Sequence, residues 1–487
     1  MRLWKRKNGF KVGWGIPLRE VLKKEAHRLD VYIPDEIRSG HIGVFGTTRT
    51  GKTRLAENLA EHDIRTGKSV WIFDPKGDID LLAKVIQVAW ETGRLKEFIF
   101  FSPIHLNISE KLNPLAYWVM LEEVTHHIAS GVSGAATSGD AAFFYKVAKE
   151  VLLVVARSLQ VLDVAAGRQP EFNIVRLNNF ISYTDIQRLL VQLENVKRTV
   201  NAEIDGRTIK EIVEQELLPK ITQMLASGEE HFSKVSGTLR AELSQFAIGS
   251  ISQLFGAVKR NVVFEKLHKK EPIIFYCMTG SLLTRDTAHI IARILLSGLQ
   301  AVAWQKNAKG ETFSPPLSII IDEASNVVYY GMEDLYNKIG GTRGYLTSLT
   351  QSIADYSTVL GENFTQKIMD NLNIQIFLRV NHMATSKYVS DKAGKIRVFS
   401  PIISMGGFSS ARETEKKLLP DDAATKLEPR EYIAFVYEKS YIGKTATVSP
   451  SRLKLKMPEL PLSEPTPGKI PTDYRDLVGT FEKEMRR

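Results

Sequence analysis

The sequence predicts an α/β chain, a mostly parallel, doubly wound sheet built around a phosphate-binding loop and interrupted by an all-helical insertion. Three observations carry this. The turn GTTRTGKT at 46–53 lies between a short apolar run and a helical one. Strand-like apolar runs alternate with helical stretches on both sides of the middle of the chain. Between them, from about Leu121 to Leu254, the periodicity is helical.

Taken in order, HIGVFG (41–46) reads as a strand, and KTRLAENLAEHDIRT (52–66) as a helix with Leu55, Leu59 and Ile64 on one face, ended by Gly67. SVWIFD (69–74) and EFIFFSP (97–103) read as further strands, with the helical LLAKVIQVAW (81–90) between them. Helical texture then takes over, as in FFYKVAKEVLLVVARSLQVL (143–162) and TIKEIVEQELLPKITQMLA (208–226). Strand-like runs return as PIIFYCM (272–278), LSIIID (317–322), YLTSLT (345–350) and IQIFLRV (374–380). The Pro-rich MPELPLSEPTPGKIP (457–471) cannot hold a helix or a central strand. The expected organisation is a basic N-terminal segment (1–30), a nucleotide-binding domain in two parts (31–120 and 259–454), an inserted all-α domain (121–258) and an extended tail (455–487).

At 487 residues, with 43% hydrophobic and 25% charged side chains, the chain has the composition of a multi-domain globular protein. Its net charge of +10 favours anionic partners such as nucleic acid or an anionic membrane surface. Cys277 is the only cysteine, which excludes an intrachain disulfide and a zinc site of paired cysteines and fits a reducing compartment. The N-terminus MRLWKRKNGFKVGWG has no apolar core of a secretory signal. The longest membrane-like stretch, Ala288 to Trp304, contains Arg293, Ser297 and Gln300 and falls short of a span.

The chemistry concentrates in a few segments. Gly46, Thr47, Thr48, Arg49, Thr50, Gly51, Lys52 and Thr53 match GxxxxGK[ST] without a mismatch, in the strand-turn-helix setting that the motif requires. The glycines let backbone N–H groups turn toward phosphate oxygens, and the following helix N-terminus adds partial positive charge. Lys52 is expected at the β and γ phosphates, and the Thr53 hydroxyl on Mg²⁺. LSIIIDEA places Asp322 and Glu323 directly after a buried strand, as a Walker B pair: Asp322 for the Mg²⁺ shell, Glu323 to orient or deprotonate the attacking water. The long interval between Lys52 and Asp322 is what a helical insertion requires. Gln351 ends the strand YLTSLT, where a polar side chain can report the γ-phosphate. Arg343, in the turn GGTRG before that strand, is a candidate arginine finger for a neighbouring subunit's nucleotide.

Asp74 opens DPKGD, which weakly matches a GTPase switch. Guanine selectivity would want NKxD, whereas Asn337 to Gly340 reads NKIG, so a GTPase is not expected. His126 and His127 are adjacent rather than three or four apart, and are taken as ordinary structural residues.

With these residues in place the chain resembles the VirD4/TraD/TraG coupling proteins of conjugation and type IV secretion, within the FtsK/HerA group of pumping ATPases. The segments that carry the resemblance are YIPDEIRSGHIGVFGTTRTGKTRLAE (32–57), VWIFDPKGD (70–78), LNPL (112–115), IIIDEA (319–324) and LTQS (349–352), and they are most similar to the TraD branch. The resemblance implies a RecA-like P-loop NTPase core using ATP and Mg²⁺. It also implies a homo-hexameric ring that receives a DNA strand bound to a relaxase and drives it toward a secretion channel. Family members typically begin with transmembrane helices, which nothing before His41 supplies, so a cytoplasmic protein, peripheral at the inner face of the membrane, is expected. Gly46, Gly51, Lys52, Thr53, Asp322, Glu323 and Gln351 carry over by motif, and Arg343 only loosely.

For DNA, single-stranded or duplex, the basic Gly/Ser-containing stretch at 392–417 is the first candidate pore loop. The N-terminal Lys5, Arg6, Lys7 and Lys11 could touch anionic lipid. Two other readings stay open: a HerA-like duplex DNA motor in repair or defence, and a nucleotide-gated adaptor for effector proteins whose biology lies in the helical domain.

Overall fold

The structure, a computed structural model, describes residues 9–21, 25–133, 139–280, 285–403 and 409–459. Residues 1–455 form one compact unit. Of the second unit, 456–487, only residues 456–459 are described, and they carry no regular element. Lys5, Arg6 and Lys7 and most of the Pro-rich tail lie outside the described residues.

In chain order the strands are β1 (Phe10–Pro17), β2 (Leu29–Ile33), β3 (Ile42–Phe45), β4 (Ser69–Asp74), β5 (Phe98–Phe101), β6 (Glu203–Ile204), β7 (Arg207–Thr208), β8 (Ile274–Met278), β9 (Leu317–Ile321), β10 (Gly344–Thr350), β11 (Ile374–Phe377), β12 (Lys395–Ile403), β13 (Ser409–Lys417), β14 (Glu431–Val436) and β15 (Lys439–Thr445). The helices of the first part are α1 (Lys52–Arg65) and α2 (Ile79–Glu91). The helical segment contains α3 (Leu121–Ser133), α4 (Gly139–Ala165), α5 (Ile174–Asn178), α6 (Tyr183–Thr199), α7 (Ile209–Ile212), α8 (Leu218–Ala226), α9 (Glu229–Ala247) and α10 (Val262–His268). After the chain returns to the sheet come α11 (Arg285–Ala308), α12 (Glu333–Lys338), α13 (Ala354–Leu360), α14 (Glu362–Asn371) and α15 (Met383–Ala393).

Eleven strands make one sheet in the order β2-β1-β15-β14-β11-β3-β10-β9-β4-β8-β5. The seven strands read as apolar runs, β11-β3-β10-β9-β4-β8-β5, are all parallel. Apart from the edge strand β5, whose Phe98 and Phe100 are half-buried, their side chains are buried on both faces, as parallel strands between helix layers must be. One alternate set, Ile42, Val44, Thr347, Leu349 and Ile376, meets Leu55, Ala56 and Leu59 of α1. The other set includes Trp71, whose ring lies 5.9 Å from Phe264 of α10.

The remaining four strands were not expected. β1, β2, β14 and β15 extend the sheet antiparallel beyond β11, pairing the N-terminal segment with the end of the core. Gly13 and Gly443 make that pairing possible: a Cβ on Gly13 would lie 2.0 Å from the Lys444 carbonyl oxygen, and one on Gly443 1.9 Å from that of Trp14. Part of the basic N-terminal segment is therefore sheet, with Lys11 in an ion pair to Asp30 at 2.9 Å.

The helical segment leaves and re-enters through LNPL. Leu112 N–H donates to the Leu254 carbonyl and Asn113 N–H to that of Arg260. The helices continue to His268, and α3 packs along α11, where His127 Nδ1 lies 2.8 Å from Ser297 Oγ. Burial holds His127 down to about 3, so it is a neutral core residue. His126 Nδ1 lies 3.2 Å from the Tyr145 hydroxyl. Among the described residues only Arg285–Ala308 has the length and mean hydropathy of a membrane span, and 78% of that window is buried inside the protein. The stretch 392–417, read as a candidate pore loop, forms the end of α15 and a separate two-stranded ribbon, β12 and β13 in register from Lys395↔Lys417 to Ile403↔Ser409; its tip, 404–408, lies outside the described residues.

Candidate nucleotide site

Parallel strands end together, so their C-terminal turns form one edge of the sheet. Phe45 pairs with Thr350 and Ser348 with Ile321, which brings Gly46, Gln351 and Asp322 to that edge. The acidic strand β9 is not the immediate neighbour of the P-loop strand β3. β10 lies between them and carries Gln351.

The P-loop is held from three sides. Gly46 N–H donates to the Thr350 carbonyl at 3.1 Å, Thr47 N–H to that of Arg379 at 2.8 Å, and Arg430 N–H to that of Thr50 at 3.1 Å. Gly51 has φ +110°, open to glycine and strained for other residues, and it directly precedes α1. Gly46 has no room for a side chain, since a Cβ there would sit 2.8 Å from Leu378 Cβ. Lys52 folds back into the loop, donating to the Gly46 carbonyl and, at 3.1 Å, to that of Thr47. Burial and then the nearby Lys76 lower its pKa. Thr53, half-buried, is the next residue of the helix.

Asp322 is nearly buried, and burial raises its pKa against the pull of Lys76. Glu323 has φ 46° and ψ 47°, a left-handed conformation that turns the chain sharply after β9. Its N–H donates to Asp322 Oδ1 at 3.0 Å and its Oε2 accepts from Asn326 Nδ2 at 3.2 Å. The Lys76 ammonium lies 2.8 Å from Glu323 Oε1 and 3.7 Å from Asp322 Oδ2.

Asp74 of DPKGD is a scaffold for this loop. Its Oδ1 accepts from the backbone of Lys76 and Gly77, and its Oδ2 from Asp78 N–H and the Tyr276 hydroxyl, both at 2.6 Å. Burial raises its pKa. Gln351 is exposed, and its backbone N–H donates to Asp355 Oδ2 at 3.0 Å, with Thr350 and Ser352 on the same carboxylate.

Arg343 is not brought to this edge. It is exposed at φ 60°, directly before β10, so the length of that strand, about 23 Å, separates it from Gln351. Any nucleotide it serves belongs to another copy of the chain. The residues missed in sequence are Lys76, inside a motif read for its aspartate, and Arg430 and Asn381. Asn381, just beyond the carboxyl end of β11, reaches Thr47 Oγ1 at 3.4 Å. Nothing local marks either of them.

Asp35, His62 and Asp63 also converge, at the amino ends of the strands. Arg38 and Lys68 already neutralise them: Arg38 is bidentate on Asp63, and Lys68 lies 2.7 Å from Asp35. This is an ion network rather than a metal centre.

The fold and this edge define a RecA-like P-loop NTPase core with helices inserted between two halves of the sheet. Residues 316–429 match the family model described as the TraM recognition site of TraD and TraG. In fold the chain is similar to the bacterial conjugative coupling protein TrwBdeltaN70 in its unbound form, with TM-score 0.61 and 16% identity over 89% of both chains. TrwB in complex with ADP and Mg²⁺ matches with TM-score 0.61 and 14% identity over 94% of this chain and 96% of that one. VirB4 of Thermoanaerobacter pseudethanolicus matches with TM-score 0.50 and 12% identity over 91% and 97%. No curated protein sequence matches. The resemblance to coupling proteins of the TraD/VirD4 type thus stands on sequence over 316–429 and on fold over most of the chain.

Proposed function

We propose that the chain is an ATP-hydrolysing motor that acts as a coupling protein, receiving DNA bound to a relaxase and passing it toward a type IV secretion channel. The observation that carries this is the common sheet edge: P-loop, acidic pair and Gln351 stand on adjacent strand ends within a chain whose residues 316–429 match the TraD and TraG model. That match favours the coupling reading over a HerA-like repair motor.

TrwB structures hold ADP with Mg²⁺, the ATP analogue ADPNP and the GTP analogue GDPNP, which supports ATP and Mg²⁺ as the ligands here. Thr53 and Asp322 would hold the metal. They fit it, because the nearly buried Asp322 carboxylate and its neighbour Glu323 already attract a cation, the Lys76 ammonium. Bound there, Mg²⁺ would neutralise phosphate charge during transfer. Lys52, released from the Gly46 and Thr47 carbonyls, binds the phosphates, and the loop's N–H groups fix their orientation. Glu323 accepts the proton of the attacking water at a carboxylate oxygen, and Gln351 faces the γ-phosphate.

Translocation needs a ring, in which Arg343 reaches the neighbour's nucleotide and the β12–β13 ribbon faces the pore. Its exposed Lys395 and Arg397 would meet phosphates there, although each also faces a carboxylate across the ribbon, Glu415 and Glu413. The helical segment receives the cargo, at the inner face of the membrane.

The test is steady-state ATP hydrolysis at low salt, with and without single-stranded and duplex DNA, for wild type and Lys52→Ala. DNA-stimulated turnover that the variant lacks supports the motor. Tight ATP binding with no response to either DNA form, in a sample shown to be hexameric, would sink it in favour of the adaptor.

A further inference from the structure

Lys76 lies in a motif segment whose lysine the ATPase reading above does not use. Its backbone is fixed, because Asp74 accepts hydrogen bonds from residues 76, 77 and 78 and from the Tyr276 hydroxyl, and Gly77 turns the chain at φ +80°. Its side chain is 37% exposed and unconfined by packing on one side, so a flexible four-carbon stem carries the charge from a rigid anchor.

In this structure that charge falls on the hydrolytic pair. Glu323 has one carboxylate oxygen on the Lys76 ammonium at 2.8 Å and the other on Asn326 at 3.2 Å. A carboxylate neutralised by an ammonium and engaged at both oxygens is a poor acceptor for a water proton. Lys52 and Lys76 face Asp322 and Glu323 here, with Asp74 and Asp355 also acting on them, so the lysines are held by carboxylates. A triphosphate adds several negative charges to the same edge, and a mobile ammonium there gains more from phosphate oxygens than from one carboxylate.

We propose that Lys76 is a nucleotide-responsive lock. It holds Glu323 and shields Asp322 before nucleotide binds, then moves to the phosphates on loading, freeing Glu323 as base and making Lys76 a second phosphate-binding lysine beside Lys52. This rests on the ATPase reading for its last step only.

The test uses the full chain as wild type, Lys76→Met and Lys76→Arg, with Mn²⁺ as the metal probe followed by electron paramagnetic resonance without nucleotide. Removing the ammonium leaves the acid pair uncompensated, so Lys76→Met binds Mn²⁺ about tenfold more tightly, while Lys76→Arg stays near wild type. Equal affinities in wild type and Lys76→Met overturn the lock. Fluorescent ATP and ADP analogues then read the second half. Wild type prefers the triphosphate, and Lys76→Met loses at least about fivefold of that preference, with rescue by arginine. An unchanged preference overturns the phosphate role. Should Lys76→Met fail to fold, as read by circular dichroism, Lys76→Gln replaces it. A wild type that hydrolyses no ATP sinks the motor reading alone, because neither binding measurement depends on turnover.

Discussion

Asn261 Nδ2 donates to the main-chain carbonyl of Asn113 at 3.0 Å, joining the two crossings of the helical segment across 148 residues of sequence. Each side chain does more. Asn113 Nδ2 donates to the Phe172 carbonyl at 2.8 Å while its Oδ1 accepts from Leu115 N–H, and Asn261 Oδ1 caps α10 by accepting from Val263 and Phe264. Both residues are buried. Replacing either with alanine leaves buried backbone groups unpaired, so each variant should lose about 1–3 kcal/mol in urea unfolding. Because Asn261 bonds the Asn113 main chain, the two sites touch, and the loss in the double variant should differ measurably from the sum of the singles.

Glu323→Gln keeps the size and the hydrogen bond from Asn326 but removes the base. Hydrolysis should fall by about a hundredfold or more while ATP affinity remains within about twofold of wild type. Turnover and equilibrium binding measured on the same preparation check this, and a matching loss in both would make Glu323 a binding residue.

Arg38 and Asp63 are both fully buried, bidentate and supported by Ser318. Asp63→Asn leaves a buried guanidinium short of its counter-charge and should cost about 3–5 kcal/mol. The double replacement Arg38→Met with Asp63→Leu should recover much of that. If the single variant unfolds at the wild-type urea midpoint, the pair contributes nothing.

His41 is buried and neutral. Its Nε2–H donates to the Tyr336 carbonyl at 2.7 Å and its Nδ1 accepts from Leu346 N–H at 3.3 Å. Burial lowers its pKa to about 4 from 6.5, so below pH 6.5 the unfolded chain binds a proton there that the folded chain does not. Stability from this residue is therefore fully present above pH 6.5 and is lost progressively as pH falls toward 4. His41→Gln should flatten the stability profile between pH 6 and 4.5 by about one proton, or about 1.4 kcal/mol per pH unit. Urea unfolding of both proteins across that range measures the difference.

The parallel core was legible because a strand buried on both faces leaves a local signature, four to seven apolar residues ended by a turn. HIGVFG, SVWIFD and LSIIID are such runs. The P-loop was legible for a related reason, since a backbone cradle needs glycines at fixed spacing. The antiparallel extension was not, because FKVGWGIP reads as a glycine-broken amphipathic segment until β15 supplies its partner more than 400 residues later. Nor was the burial of Arg38 or Asp63, which in sequence look like ordinary surface charges.

The sequence by itself determined the chemistry: which residues turn around phosphates, which acids follow a buried strand, and that a helical segment separates them. Those are local patterns, fixed by backbone conformation and side-chain type within a few residues. Only the tertiary structure decided that β10 lies between the P-loop and the acid pair, that Arg343 stands at the opposite edge, and that Lys76 rests on Glu323. Each depends on strand order and register, which arise from packing between distant segments and leave no mark on any one of them.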